Sequence, residues 1–470
     1  MKIIRFIAVL CCLTSFMKAQ EYSIFGKIDG LADGDVLLGY YYGDKQYVKD
    51  TVQSQFGFFH FQSDEKLEEG MYFILLPNKQ NFQLIIDKHP NFSFETNVKD
   101  LIGSMKIKGS KENELFYQYQ KFTQQKNKEA APINKEFSAS KKGSKKHKRL
   151  NKQLEDIGNE VLKFKYKFMR ENPSIFFVKL LKAMEPVHIP KAKKKENGEI
   201  DENFQYNYYK SHYWDHYDLS DERIIRTPIF HDKMVSYLKE YTPQIPDSIN
   251  ASIDTLIHKV KGNEDLFKYI INWTTHHYES SKIMGQDAVF VHLVFTYFIT
   301  GQTPWIEEVQ MSKIINKAMR ISPNLIGAKA PYLQMPDNEG MEQDLYKINA
   351  PFTVIFFYDP DCGHCKEEAP KVRDVVKKYA DKGVKVYAVC TEFDPEIWKE
   401  FIVEQEIENW VNVIDLDNKS NFRGKYNVLG TPRLFVLDEK KKIIAKQIDS
   451  KALGEILENE FRLLVEKKYE

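Results

Sequence analysis

PFTVIFFYDPDCGHCKEEAP, residues 351–370, is the stretch from which the rest of the chain is read. Residues 352–358 are β-branched and aromatic, the composition of a fully buried strand, and the run stops at Asp359-Pro360-Asp361, a turn-forming triplet. Cys362 and Cys365 follow at once. Beyond them Ala369, Val372, Val375, Val376 and Tyr379 recur at three- and four-residue steps. That spacing predicts a helix whose first turn carries both cysteines.

A helix start presents unpaired N–H groups and the positive end of the helix dipole, which favours a thiolate at Cys362, the more exposed of the pair. A free thiol, with a pKa of about 8.5, is only slightly ionised at neutral pH. Cys365, one turn along on the same face, is placed to attack a mixed disulfide formed at Cys362 and close the ring. A Cys-x-x-Cys pair also serves as half of a zinc site or as an inert structural disulfide. Zinc needs two more ligands, and after residue 12 the remaining cysteine is Cys390, while His364 sits between the pair. No metal is expected.

Further residues carry a resemblance to the thioredoxin superfamily. Pro370 stands five residues after Cys365, where thioredoxins have the proline of this helix, and Thr431-Pro432, ahead of the apolar run 434–437, resembles their cis-proline loop. Within the superfamily the chain is most similar to the TlpA/ResA-like periplasmic thiol-disulfide oxidoreductases. The lead-in Ile326-Gly327-Ala328-Lys329-Ala330-Pro331 resembles their opening segment, and the distance from Cys365 to Pro432 leaves room for their inserted strand and helix. The resemblance implies that Cys362 and Cys365 are catalytic. It makes Thr431, Pro432, Gly363 and His364 the substrate-binding positions, with Pro432 presenting a backbone edge to a peptide. It also implies an acid after the strand that follows the active-site helix. Glu392 holds that position, either as a proton carrier for the buried thiol or as a solvated strand end. The chain departs from most thioredoxins in having Asp361, not Trp, before the first cysteine, and a carboxylate there opposes thiolate formation. Gly-His between the cysteines resembles protein disulfide isomerase, whose potential lies about 90 mV above that of thioredoxin. Electron flow in either direction stays open.

The chain has 470 residues, long enough for roughly three domains, and a formal net charge of +1 from 68 basic and 67 acidic residues. So balanced a charge supplies no global field for nucleic acid or anionic lipid. Lys2 and Arg5 precede an apolar stretch, residues 6–17, too short to span a bilayer comfortably. We read residues 1–19 as a signal peptide cleaved after Ala19, with an uncleaved anchor as the alternative. Export would remove Cys11 and Cys12, leaving Cys362, Cys365 and Cys390 of the five cysteines. One close pair with no other staple, in an oxidising compartment, points to exchange and not to stability. Cys390, in a buried-type strand, reads as a small inert hydrophobe.

The expected fold is multi-domain: an N-terminal all-β sandwich over residues 20–108, an α-helical middle domain over 109–320, and a C-terminal α/β thioredoxin-like domain over 321–470. Short strands are predicted at 22–28, 35–42, 47–52, 57–61, 71–76, 82–86 and 92–94. Leu150, Leu154, Ile157, Val161, Phe164 and Phe168 form a narrow apolar seam with residues 112–122 as its partner helix. The lysine-rich residues 138–149 read as the solvated loop between them. His212 and His216 stand four apart, on one face if residues 204–217 are helical, but lack the glutamate of a zinc protease and read as packing. A long helix is expected over 287–299.

The expected function is exported thiol-disulfide exchange on protein or peptide thiols and disulfides, as a reductase or isomerase, in the periplasm or cell envelope. No cofactor is required because the two sulfurs carry the electrons. A reductase needs an electron donor across the membrane, hence membrane proximity; no nucleic acid is expected. Two rivals come from other classes. One is an envelope binding protein whose sandwich and helical domains hold a peptide or glycan, with the thioredoxin fold as scaffold. The other is a peroxidase, which usually has threonine three residues before its reactive cysteine, where Asp359 stands here.

Overall fold

A computed structural model describes residues 21–192 and 201–469, and the expected signal peptide lies outside them. The described residues divide into two compact units, those up to Tyr241 with Lys259–Phe267, and Thr242–His258 with those from Lys268 on.

The first unit opens with two four-stranded sheets. One has the order β4 (Phe58–Ser63), β1 (Tyr22–Asp29), β7 (Asn91–Asn97), β8 (Lys106–Lys108); the other runs β3 (Lys45–Ser54), β2 (Gly34–Tyr42), β5 (Gly70–Leu75), β6 (Asn81–Ile86). The side chains of β1 alternate between buried and more exposed along its length, the period-two pattern of a strand with one face on a core. Ile24, Phe61, Phe94, Val36, Leu38, Ile74 and Leu84 supply that core. The helices α1 (Lys111–Ala139) and α2 (Lys145–Glu171) follow as an antiparallel pair, with the Phe122 and Phe164 rings stacked 3.9 Å apart.

α1 runs to Ala139 and α2 starts at Lys145, so the loop is shorter than the lysine content suggests. Lys, Glu and Gln are good helix formers even without an apolar stripe. Ser144 caps α2 by accepting from the His147 N–H, and the ion pair between Lys146 and Glu136 bridges the turn. The shorter α3 (Phe176–Ala183) and α4 (Phe204–Ser211) come next. Residues 204–217 are not helical throughout, because α4 ends at Ser211, so His212 and His216 do not share a helical face. His212 closes the helix, its ring stacked on Tyr208 at 3.9 Å and its Nδ1 on the Tyr208 carbonyl at 2.8 Å. Tyr213 and Trp214 then turn inward and pack against Tyr237 of α5 (Phe230–Lys239), an aromatic cluster that breaks the helical path.

The chain passes to the second unit within α6 (Pro246–Lys259) and α7 (Glu264–Glu279). There α8 (Asp287–Leu293) stops short of the expected 299 and continues as a π-helical turn, Val294–Phe298, before α9 (Glu308–Ile321). A short pair, β9 (Gln334–Pro336) and β10 (Glu342–Asp344), introduces the C-terminal domain. Its five-stranded sheet is built from β11 (Phe352–Tyr358), β12 (Lys385–Cys390), β13 (Val411–Ile414), β14 (Arg433–Asp438) and β15 (Ile443–Ile448), in the order β13-β12-β11-β14-β15. β11 runs parallel to β12 and antiparallel to β14. The helices are α10 (Gly363–Lys378), α11 (Pro395–Glu404), α12 (Phe422–Lys425) and α13 (Ser450–Tyr469).

Every residue of β11 is buried because the central strand is covered on both faces. Val354, Phe356 and Tyr358 point to the side of α10 and α13, with Ala369, Val372, Leu453 and Leu457. Ile355 and Phe357 point to the other, against Phe422, Tyr426 and Leu333. The packing therefore fixes where β11 ends and α10 begins.

One buried charge holds the edge of this domain: Lys446 of β15 is 3 % exposed, and its Nζ reaches the Asp287 carboxylate and the Asn324 carbonyl. Removing one member of a buried pair leaves the other charge uncompensated. Asp287→Ala is therefore expected to cost about 3 kcal/mol, read as a lowered denaturation midpoint of the full chain. Restoring volume on both sides with Asp287→Leu and Lys446→Met should recover most of the loss.

Candidate active site

The site forms where β11 gives way to α10. Cys362 is the residue just ahead of the helix, with extended backbone angles, and its carbonyl accepts from the N–H groups of Cys365 and Lys366 at 3.0 and 3.1 Å. Its sulfur thus lies over the unpaired N–H groups of the first turn. Cys365, inside that turn, is fully buried with Tyr358, Ala369 and Cys390, while Cys362 is half-buried. Both are free thiols.

The two thiols are driven apart. Burial works to raise the pKa of Cys362, but hydrogen bonds from the Cys365 N–H, the Cys365 thiol, Thr431 and the His364 N–H outweigh it, and the net direction is down. Burial pushes Cys365 up to about 12, against a hydrogen bond from the Asp359 N–H, whose nitrogen lies 3.5 Å from the sulfur. Cys362 is thus the nucleophile and Cys365 the sulfur that follows it. Asp361 does not reverse this order.

The other expected residues fall as follows. The Thr431–Pro432 peptide is cis, and the Thr431 carbonyl accepts from the Cys362 thiol at 3.7 Å. Gly363 and His364 are exposed, and nothing beyond the chain neighbours and the backbone of its own helix lies within 4 Å of where a side chain would begin at Gly363. A partner chain thus has a clear approach on the helix side of Cys362. Leu429, 73 % exposed, stands two residues before Thr431. Glu392 is half-buried beyond the end of β12, and its backbone carbonyl accepts from the Cys390 thiol at 3.9 Å. Burial raises its pKa, as do the neighbouring Asp359 and Asp361, while Arg423 lowers it. Cys390 is buried opposite Tyr358 in the ladder, and its thiol is pushed up to about 12 by burial.

Asp359 is the site residue that sequence reasoning missed. Its position marks a turn, yet its N–H meets the Cys365 sulfur and its carboxylate accepts from the Asp361 N–H at 2.8 Å. Neither role leaves a mark in local pattern. Among the described residues no group of three or more His, Cys, Asp or Glu is placed to hold a metal ion, and no helix is long and apolar enough to cross a membrane.

Comparison with known proteins accords with this geometry. Residues 326–446 match the AhpC/TSA family, residues 138–324 a domain of unknown function (DUF5106), and residues 22–116 another (DUF4369). The thiol-disulfide oxidoreductase ResA of Bacillus cereus is 26 % identical over 123 residues, which cover 26 % of this chain and 69 % of that one. The thioredoxin-like protein YneN of Bacillus subtilis is 24 % identical over 119 residues, 24 % of this chain and 66 % of that one. Among solved structures, a domain of a possible thiol-disulfide isomerase from Cytophaga hutchinsonii is 41 % identical, covering 30 % of this chain and 95 % of that one, with a TM-score of 0.29. A thioredoxin-like protein from Bacteroides caccae is 18 % identical, covering 58 % and 98 %, with a TM-score of 0.43.

Brief treatment of the reduced, folded protein with iodoacetamide at neutral pH should alkylate Cys362 alone, with Cys365 and Cys390 modified only after denaturation. Peptide mass mapping reads the outcome. Preferential labelling of Cys365 would contradict the assigned order of the two thiols.

Proposed function

We propose that this chain, whose C-terminal domain belongs to the AhpC/TSA family and is related to the ResA oxidoreductases, is an exported thiol-disulfide oxidoreductase acting on protein or peptide disulfides. The observation that carries the reading is the asymmetry of the dithiol: one half-buried sulfur with a lowered pKa at the start of a helix, one sealed sulfur directly behind it. The Cys362 thiolate attacks a substrate disulfide, forming a mixed disulfide and expelling one substrate thiolate. Cys365 then attacks Cys362, the internal disulfide forms, and the second substrate sulfur leaves. Two electrons pass to the substrate, and no bound cofactor takes part.

Thr431, Pro432, Gly363 and His364 border the Cys362 sulfur and are our proposed contacts for the substrate backbone. Peroxide chemistry fits less well, because the position three residues before Cys362 holds Asp359 in place of threonine, its carboxylate accepting from the Asp361 N–H. We place the protein in the periplasm or cell envelope on the strength of residues 1–19, with residues 20–108, 109–320 and 321–470 as its domains. A reductase role calls for a donor of electrons from the membrane.

Cys362→Ser should abolish reduction of an insulin disulfide by the dithiothreitol-coupled protein, whereas Cys365→Ser should accumulate a mixed disulfide at Cys362 visible by non-reducing electrophoresis. Undiminished turnover by Cys362→Ser would sink the assignment. The dithiol's reduction potential should lie above about −300 mV, the range below which disulfides are typically structural.

A further inference from the structure

The even charge of the chain hides a local imbalance. Residues 137–152 hold six lysines and one arginine with no aspartate or glutamate, and the remainder carries 61 basic against 67 acidic residues, a net −6. The run covers the end of α1, the loop and the start of α2. This tip is ordered. The Ser144 N–H closes a turn on the Lys141 carbonyl at 3.0 Å, with Gly143 at φ +83°. The His147 ring stacks on Phe137 at 4.2 Å, and its Nδ1 lies 2.9 Å from the Ser140 hydroxyl. Lys146 pairs with Glu136 across the turn and Lys152 with Asp156 along α2. Among the described residues Lys141, Lys142, Lys145 and Lys148 are exposed and form no ion pair. Lys141 and Lys142 follow the C-terminus of α1, whose dipole favours cations. Lys145 and Lys148 stand in the first turn of α2, against the positive end of its dipole, where no acid is present. Lysine there weakens the helix, and an anion bound at the tip offsets the cost.

The tip is also set apart from the acids of its own domain. Lys128 of α1 still reaches Asp100 at 3.3 Å, but among the described residues the hydrogen bonds, ion pairs and ring contacts of residues 129–163 all lie within the hairpin. From Lys128 to the end of α1 the helix rises roughly 16 Å, about two Debye lengths at physiological salt. We propose that the tip of the α1–α2 hairpin is a docking surface for a bilayer rich in anionic phospholipid. Four unpaired ammonium groups on a narrow, ordered tip meet a plane of phosphates without breaking any internal pair. Lysine suits that partner, because a hydrated point charge follows mobile headgroups without fixed geometry. Paired recognition of one defined phosphate or carboxylate favours arginine, and the run has a single one. Nucleic acid is the poorer fit: the one phenyl ring of the run, Phe137, is engaged by His147, and no other ring is there for a base to stack on. Docking leaves the dithiol untouched and concentrates the protein at the bilayer, from which the proposed reductase role draws its electrons.

Sedimentation of residues 20–470 with lipid vesicles measures the partition. At low ionic strength the protein should pellet with vesicles of equal parts phosphatidylglycerol and phosphatidylcholine, stay in solution with phosphatidylcholine alone, and be released from the mixture as salt rises. Each cation beside an anionic surface strengthens binding about fivefold. The variant Lys141→Gln/Lys142→Gln/Lys145→Gln/Lys148→Gln should therefore bind about a hundredfold more weakly, or worse. Removing the same charge elsewhere, in Lys385→Gln/Lys440→Gln/Lys442→Gln/Lys451→Gln, should leave binding within about twofold of the unaltered protein, and so should Cys362→Ser. Circular dichroism reports whether each variant is folded. If the tip variant loses helix, Lys141→Gln/Lys142→Gln, confined to the loop, is read in its place, with an expected loss of about tenfold or more. No binding by the unaltered protein, equal binding to phosphatidylcholine alone, or equal losses from the tip and control variants would overturn the proposal. So would a DNA duplex that holds the protein through the same lysines more tightly than the vesicles do. None of these outcomes touches the dithiol, whose assignment stands or falls with Cys362→Ser in the insulin assay.

Discussion

Desolvation of one sulfur and not the other is the constraint on which the domain's chemistry depends. It arises because α10 starts within a few residues of the end of a strand covered on both faces. The first cysteine caps the helix at the protein surface, and the second, one turn later, falls beneath it among Tyr358, Ala369 and Cys390. Burial raises both thiols and backbone N–H groups lower both, but the balance differs. Several hydrogen bonds meet Cys362 and outweigh its modest burial, whereas the Asp359 N–H and the Thr431 side chain leave Cys365 dominated by burial.

The surroundings keep that geometry rigid. Trp398 of α11 donates from Nε1 to the Tyr358 hydroxyl at 2.9 Å, so the last side chain of β11 is satisfied as well as packed. The Ser450 N–H at the start of α13 donates to Glu368 of α10, linking the active-site helix to the one packed beside it. On the far face Phe357 lies against Phe422, Tyr426 and Phe435. Motion of the dithiol relative to the sheet would disturb packing on both faces at once.

How much of this was legible differs from element to element for physical reasons. β11 and α10 were readable because a doubly buried strand is apolar throughout and an amphipathic helix repeats at three and four residues. The strands of the N-terminal sheets were readable from turn residues and alternation. The α1–α2 loop was overestimated because charge was taken for a lack of structure, although Lys126 pairs with Glu129 and Glu160 along and between these helices. The histidines at 212 and 216 kept their helical spacing on paper, but inward turning of Tyr213 and Trp214 ended the helix, a preference set by tertiary packing.

The sequence by itself determined the strand-turn-dithiol-helix unit and the candidate residues around it, since adjacent positions and short-range periodicity specify both. It did not contain the contact of the Asp359 N–H with the Cys365 sulfur or the opposed shifts of the two thiols. Those follow from how β11 is packed and from what covers each sulfur, and both quantities exist only once distant segments of the chain have been brought together. Local backbone preference places a cysteine at a helix start; the fold sets how much water it keeps.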